Sequence, residues 1–112
     1  MKKLYLSILL LCIILITVSC STGQKEDIAI FKATVLENNV SLIVEPQQDT
    51  IEIKSSDKIA VHTNNSKIYN SSGKEISVSE IPIGGIVQIT YNGMIAESYP
   101  AQISADRIEI ME

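Results

Sequence analysis

From Ile28 onward, apolar side chains recur at every second position, and no sustained repeat of three to four residues is present. That is the period of extended strands, whose successive side chains point to opposite faces. In FKATVLENNVSLIV, Phe31, Ala33 and Val35 share one face, and Val40, Leu42 and Val44 share another. Asn38-Asn39 between the two runs predicts a two-residue hairpin turn needing positive φ. Further strands are predicted at residues 50–54 and 58–63, and around Ile68 and Ile76 on either side of the polar loop 70–74. IVQITYNGMIAE reads as a hairpin folded on Asn92-Gly93, with Gly84-Gly85 letting the chain turn sharply into it. DRIEIM supplies a last strand, with Ile108 and Ile110 inward and Arg107 and Glu109 outward.

Isoleucine dominates this part of the chain, and valine and threonine are frequent, a composition that suits pleated, half-buried surfaces. Several short strands with closely spaced turn signals predict an all-β fold. At this length the expectation is a small five- or six-stranded antiparallel barrel of the OB (oligonucleotide/oligosaccharide-binding) type. Closing the sheet also removes the exposed edges that isoleucine-rich strands would otherwise present.

The first residues follow a different pattern. Lys2 and Lys3 precede residues 4–18, a 15-residue apolar run interrupted only by Ser7 and Thr17. A bilayer-spanning helix takes about 20 apolar residues. A shorter run after a basic start, ending at small residues, has the form of a signal peptide. Thr17-Val18-Ser19-Cys20 resembles a bacterial lipobox, with Thr17 where leucine is usual. The resemblance implies cleavage before Cys20 and acylation of its thiol with a diacylglyceryl group carrying chains such as palmitate. Cys12 and Cys20 are the two cysteines. With Cys12 removed and Cys20 acylated, no disulfide can form, so the fold rests on its apolar core. The expected organisation is a signal peptide at 1–19, a lipidated cysteine with a polar tether at 20–27, and a β-barrel domain at 28–112. Two acyl chains suffice for stable anchoring, which predicts a protein held at the cell membrane, facing its extracytoplasmic side.

Charge narrows the partners. Removing the first 19 of 112 residues leaves 93, and the basic count falls from 9 to 7 against 13 acids, so the net charge moves from −4 to −6. An acidic domain is repelled by phosphates, which argues against nucleic acid and anionic lipid surfaces as main partners. Few aromatic side chains are available to stack bases or sugars.

IPIGGIVQITYNGMIAESYPAQISADRIEI contains the most individual stretch of the chain, Glu97-Ser98-Tyr99-Pro100-Ala101-Gln102-Ile103. A glycine, an alternating strand, a glycine turn, this heptapeptide and a final strand together resemble the C-terminal signature of the YobA-like small bacterial lipoproteins. The upstream FKATVLENNVSLIVEP resembles that family's opening hairpin. The resemblance covers essentially the whole chain after the tether and implies an OB-type barrel; it implies no activity, because the family's domain has none assigned.

The heptapeptide admits three readings. Catalysis lacks support: Ser98 is not in a nucleophile elbow, nothing pairs it with His62, and no second carboxylate is marked beside Glu97. No enzyme is expected. The preferred reading is structural. Pro100 ends the hairpin strand, Glu97 or Ser98 bonds the freed backbone, and Tyr99 is buried over the barrel end. The third reading makes Glu97, Ser98, Tyr99, Pro100 and Gln102 a binding surface. His62 stands alone without cysteine or a second histidine, so neither a metal nor another cofactor is expected. Asn64-Asn65-Ser66 and Asn70-Ser71-Ser72 read as turns. The functional expectation is a monomeric, non-catalytic binding module of the cell envelope that recognises a protein or peptide partner. The alternative is a structural or regulatory accessory protein of a membrane complex.

Overall fold

The computed structural model of the protein describes residues 28–111. The signal peptide, Cys20 and the tether lie outside the described residues.

Alternating side chains in Ala29–Asn38 build strand β1, which places Phe31, Ala33 and Val35 in the core. A bulge at Leu36, between Val35 and Glu37, lets β1 bend while it pairs antiparallel with β2 (Leu42–Pro46). Strand β2 buries Leu42, Val44 and Pro46 and pairs with β3 (Ile59–His62), which buries Ile59 and Val61. Strand β4 (Lys67–Tyr69) is short and buries Ile68. On its other edge, β1 pairs with β5 (Ile86–Tyr91), whose Val87, Ile89 and Tyr91 point inward.

The last strand, β6 (Ala101–Met111), closes the sheet. It runs antiparallel to β5 from Ala105 to Met111, while its first residues run parallel to β3, from Ile59↔Ala101 to His62↔Ser104. The cycle β1–β2–β3–β6–β5–β1 is a closed five-stranded barrel, with β4 added parallel to β6 at Arg107–Glu109. This is the expected OB-type barrel, but mixed where an antiparallel one was expected: β6 pairs parallel with both β3, at the closing seam, and β4, because neither is joined to it by a hairpin. A second bulge, at Asp106, shifts the inward face of β6 from Ala101, Ile103 and Ala105 to Ile108. Arg107 stacks its guanidinium 4.4 Å from the Tyr69 ring centroid and pairs with Glu109 at 2.6 Å, both on the outer side.

Four local expectations are corrected. No non-glycine residue among those described has positive φ, and β1 and β2 are joined by three residues, Asn39 to Ser41, so the Asn38-Asn39 turn does not form. Val40, expected inward, is 99% exposed at the tip of that loop. Residues 50–54 are not a strand: Glu52–Ser55 forms a single helical turn, α1, and just before it the Thr50 hydroxyl donates to the Gln47 carbonyl at 2.6 Å. Asn92-Gly93 does turn, with Gly93 at φ 82° and the Met94 N–H donating to Asn92 Oδ1 at 3.0 Å. The turn opens an irregular connection, however, since β5 already has β1 and β6 on its two edges and leaves no place for residues 94–97.

Each end of the barrel is closed from the side. At the Asn38 end, the Asn38 amide donates to the carbonyls of Val78 and Ile81 at 2.8 and 3.0 Å, holding the 3₁₀ turn Val78–Glu80 against the core with Ile81 buried. Gly84, at φ 84°, donates its N–H to the Val35 carbonyl at 2.8 Å, and Gly85 accepts from the Val35 N–H at 2.9 Å. The sharp turn expected at Gly84-Gly85 is therefore present. At the other end, Phe31 meets Tyr91 edge to face at 5.5 Å, and α1 brings Glu52 onto the Tyr91 hydroxyl.

Candidate functional site

The connection from β5 to β6 carries the heptapeptide. Ala96 pairs with Gln102 through both backbone bonds, at 2.9 and 3.2 Å, which pinches residues 97–101 into a tight loop. Inside it the Ser98 N–H donates to the Ala96 carbonyl at 3.0 Å, and the Ser98 hydroxyl donates to the Pro100 carbonyl at 2.8 Å. The Tyr99–Pro100 peptide is cis, and Pro100 directly precedes β6. Pro100 thus stands before the last strand and does not end the one before it. The Ser98 hydroxyl serves the backbone as expected.

Tyr99 corrects the central structural expectation. It is 70% exposed and is no plug. Its hydroxyl donates to Asp57 Oδ1 at 3.0 Å, fastening the loop to the turn before β3. That turn is shaped by Ser56, whose hydroxyl donates to the Lys58 carbonyl at 2.7 Å. The bond to the Asp57 carboxylate, first among the causes, raises the Tyr99 phenol above its ordinary pKa.

The buried tyrosine is Tyr91. Its hydroxyl donates to Glu52 Oε2 at 2.7 Å, and both residues are 2% exposed. Burial, then the bond to Glu52 and its charge, push the Tyr91 phenol well above the usual tyrosine range. The inward alternation of Val87, Ile89 and Tyr91 was visible in the sequence and signals a buried phenol in need of a partner. Nothing local marks Glu52 as that partner, 39 residues away.

Gln102, the second residue of β6, faces out of the barrel beside His62 of β3. His62 Nε2 and Gln102 Oε1 are hydrogen-bonded at 2.9 Å. Gln102 Nε2 donates to the Ser98 hydroxyl at 3.4 Å. His62, Gln102 and Ser98 therefore form one chain of polar contacts over the parallel seam. Glu97 and Tyr99 stand apart from it. Glu97 lines a separate open groove of about 440 Å³ with Lys54, Ser55, Ile95, Ser98 and Ala101.

Two shallow grooves meet at His62. One, of about 370 Å³, is bounded by Asn92, Met94, Ile95, Ala96, Gln102, Ile103 and Ser104. The other, of about 170 Å³, runs toward the β1–β2 loop past Ala60, Asn64 and Val40. Aspartate, glutamate, lysine and arginine are absent from the lining of both among the described residues, and His62 is their one titratable side chain. Two exposed apolar side chains stand at the far sides, Met94 at 73% and Val40 at 99%. The surface can offer amide, hydroxyl and imidazole hydrogen bonds between apolar contacts. The described residues contain no cluster of three or more histidine, cysteine or acidic groups placed to hold a metal.

This barrel, with its outer groove over β3, belongs to a family defined by sequence. The chain is a member of the DUF3221 family, described as proteins of unknown function, whose profile matches residues 30–112. The comparisons with curated proteins and with solved structures found no match.

Proposed function

We propose that the protein is a membrane-anchored, non-catalytic binding module of the cell envelope, held at the extracytoplasmic surface through lipid on Cys20. The observation that carries the binding part is the uncharged double groove centred on His62 and Gln102. In a domain of strongly acidic balance, a surface free of fixed charge suits an uncharged polypeptide segment. Its backbone would bond the Gln102, Asn64 and Ser104 side chains, and its apolar side chains would contact Met94 and Val40. A nucleic acid is disfavoured here, since no cation among the described residues faces the groove to replace counterions. On OB-type barrels, the face of the second and third strands with its flanking loops is a common ligand surface. That is an analogy of fold and supplies a location, not a ligand. The heptapeptide and the lipobox-like Cys20 support reading the chain as one of the YobA-like lipoproteins within its family.

The test is affinity capture by the full lipidated chain from membranes of the cells that make it. Wild type is compared with Met94→Glu and with Ile83→Glu, the latter altering an exposed apolar residue outside the grooves. Retention by wild type and Ile83→Glu with loss from Met94→Glu is the expected result. The same bound material on all three proteins would contradict the reading.

A further inference from the structure

Three of the exposed large apolar side chains gather at one place. Ile28 is 65% exposed, Ile30 59% and Ile51 72%, and all three line one open groove of about 630 Å³ whose border also carries the polar Gln47, Asp49, Thr50 and Gln88. Ile28 and Ile30 lie two residues apart, on the outer side opposite Phe31, and Lys32 continues the same row. Ile51 comes from the residue just before α1. No other described residue covers these three side chains, and exposed apolar side chains gathered in one place mark an interaction surface.

The covalent chain says what lies nearby. Ile28 follows Cys20 by only eight positions, and that length of chain, fully extended, reaches at most about 30 Å. The patch begins at the residue where the tether enters the domain, so an anchor on Cys20 holds it within about 30 Å of the bilayer. Val40 lies beyond the far end of the ten-residue β1, roughly 33 Å along the strand.

We propose that Ile28, Ile30 and Ile51 form a lipid-facing foot that rests the barrel on the bilayer surface and sets its orientation. The inference rests on the reading that Cys20 carries the anchor. Three isoleucines would not hold a free domain on a membrane, but a short tether makes the contact intramolecular, with an effective concentration of about millimolar. The acidic balance of the domain excludes attraction to anionic headgroups as the driving force. The contact is therefore apolar insertion at the interface, with Lys32 extending its ammonium toward the headgroups. The orientation turns the β1–β2 loop and its groove away from the bilayer.

The test uses the full lipidated chain on phosphatidylcholine vesicles whose acyl chains are brominated. A fluorophore is attached through Asp49→Cys, which lines the patch while leaving its isoleucines intact, or through Val40→Cys. Several-fold quenching at position 49, little at position 40, and loss of the quenching in Asp49→Cys/Ile30→Glu/Ile51→Glu are expected. Equal quenching at both positions, or quenching that survives the glutamates, overturns the foot. Vesicle-bound protein unquenched at position 49 overturns the foot alone; if aqueous iodide is also excluded there, a protein contact, a second copy included, covers the patch. Protein that fails to bind the vesicles overturns both the anchor and the foot.

Discussion

The Tyr91 hydroxyl donates to Glu52 Oε2 across 2.7 Å inside the closed end of the barrel. A carboxylate this deeply buried is tolerated only with a hydrogen-bond partner, and the partner comes from the far end of β5. The pair therefore ties α1, an isolated helical turn, to the strand that β1 and β6 enclose.

Tyr91→Phe keeps the ring against Phe31 but strips the donor from Glu52. A hydrogen bond to a charged group is worth about 1.5–3 kcal/mol, and the variant is expected to lose about that much in urea unfolding. Glu52→Leu/Tyr91→Phe should be less destabilised than the sum of the single changes, because neither polar group is then left unpaired.

The same pair sets an alkaline limit. The folded pKa of Tyr91 lies above its unfolded value, so its contribution is fully present below the unfolded value of about 10. It is lost as pH rises through the folded value, because above about pH 10 the unfolded chain binds fewer protons than the native one. Urea midpoints should fall above about pH 10 more steeply in wild type than in Tyr91→Phe.

Tyr99 behaves differently because it is exposed. Tyr99→Ala removes one solvent-facing bond to Asp57 and should leave the melting temperature nearly unchanged. Phe31→Ala, which empties a core site, should cost about 3–5 kcal/mol. Melting temperatures of the two variants should differ accordingly, and a sharp drop for Tyr99→Ala would show that the loop's bond to Asp57 is structurally decisive.

Gly85 accepts from Val35 beside Pro82, and an added Cβ would meet Pro82 Cγ at 3.0 Å and the Pro82 carbonyl oxygen at 3.1 Å. The second of these is backbone and cannot rotate away. Gly85→Ala should destabilise the domain by about 1–3 kcal/mol, measured by thermal unfolding.

The barrel was legible where burial obeys the two-residue period. Phe31, Ala33, Val35, Leu42, Val44, Ile59, Val61 and Ile108 all fall inside as their spacing predicts. The failures share a cause, which is that local preference was overruled by long-range pairing. Asn92-Gly93 is a good turn, but the partner of β5 is β6, beginning nine residues beyond Asn92, so the hairpin next to the turn has no edge to occupy. Residues 50–54 carry too short an apolar pattern to separate a strand from a helical turn. The inward side of that turn is an acid whose reason lies on β5. Likewise, the heptapeptide drew attention to Tyr99, while its lasting structural contribution is Gln102, placed beside His62 by a parallel seam that no local pattern announces.

The proposed seat of this barrel at a membrane surface is tested most directly by the mass of the protein extracted from membranes. The expected species lacks residues 1–19 and carries diacylglyceryl mass on Cys20, while Cys20→Ser protein is neither acylated nor held in the membrane fraction. An unprocessed chain with an unmodified Cys20, or a Cys20→Ser protein that remains equally membrane-bound, would contradict it.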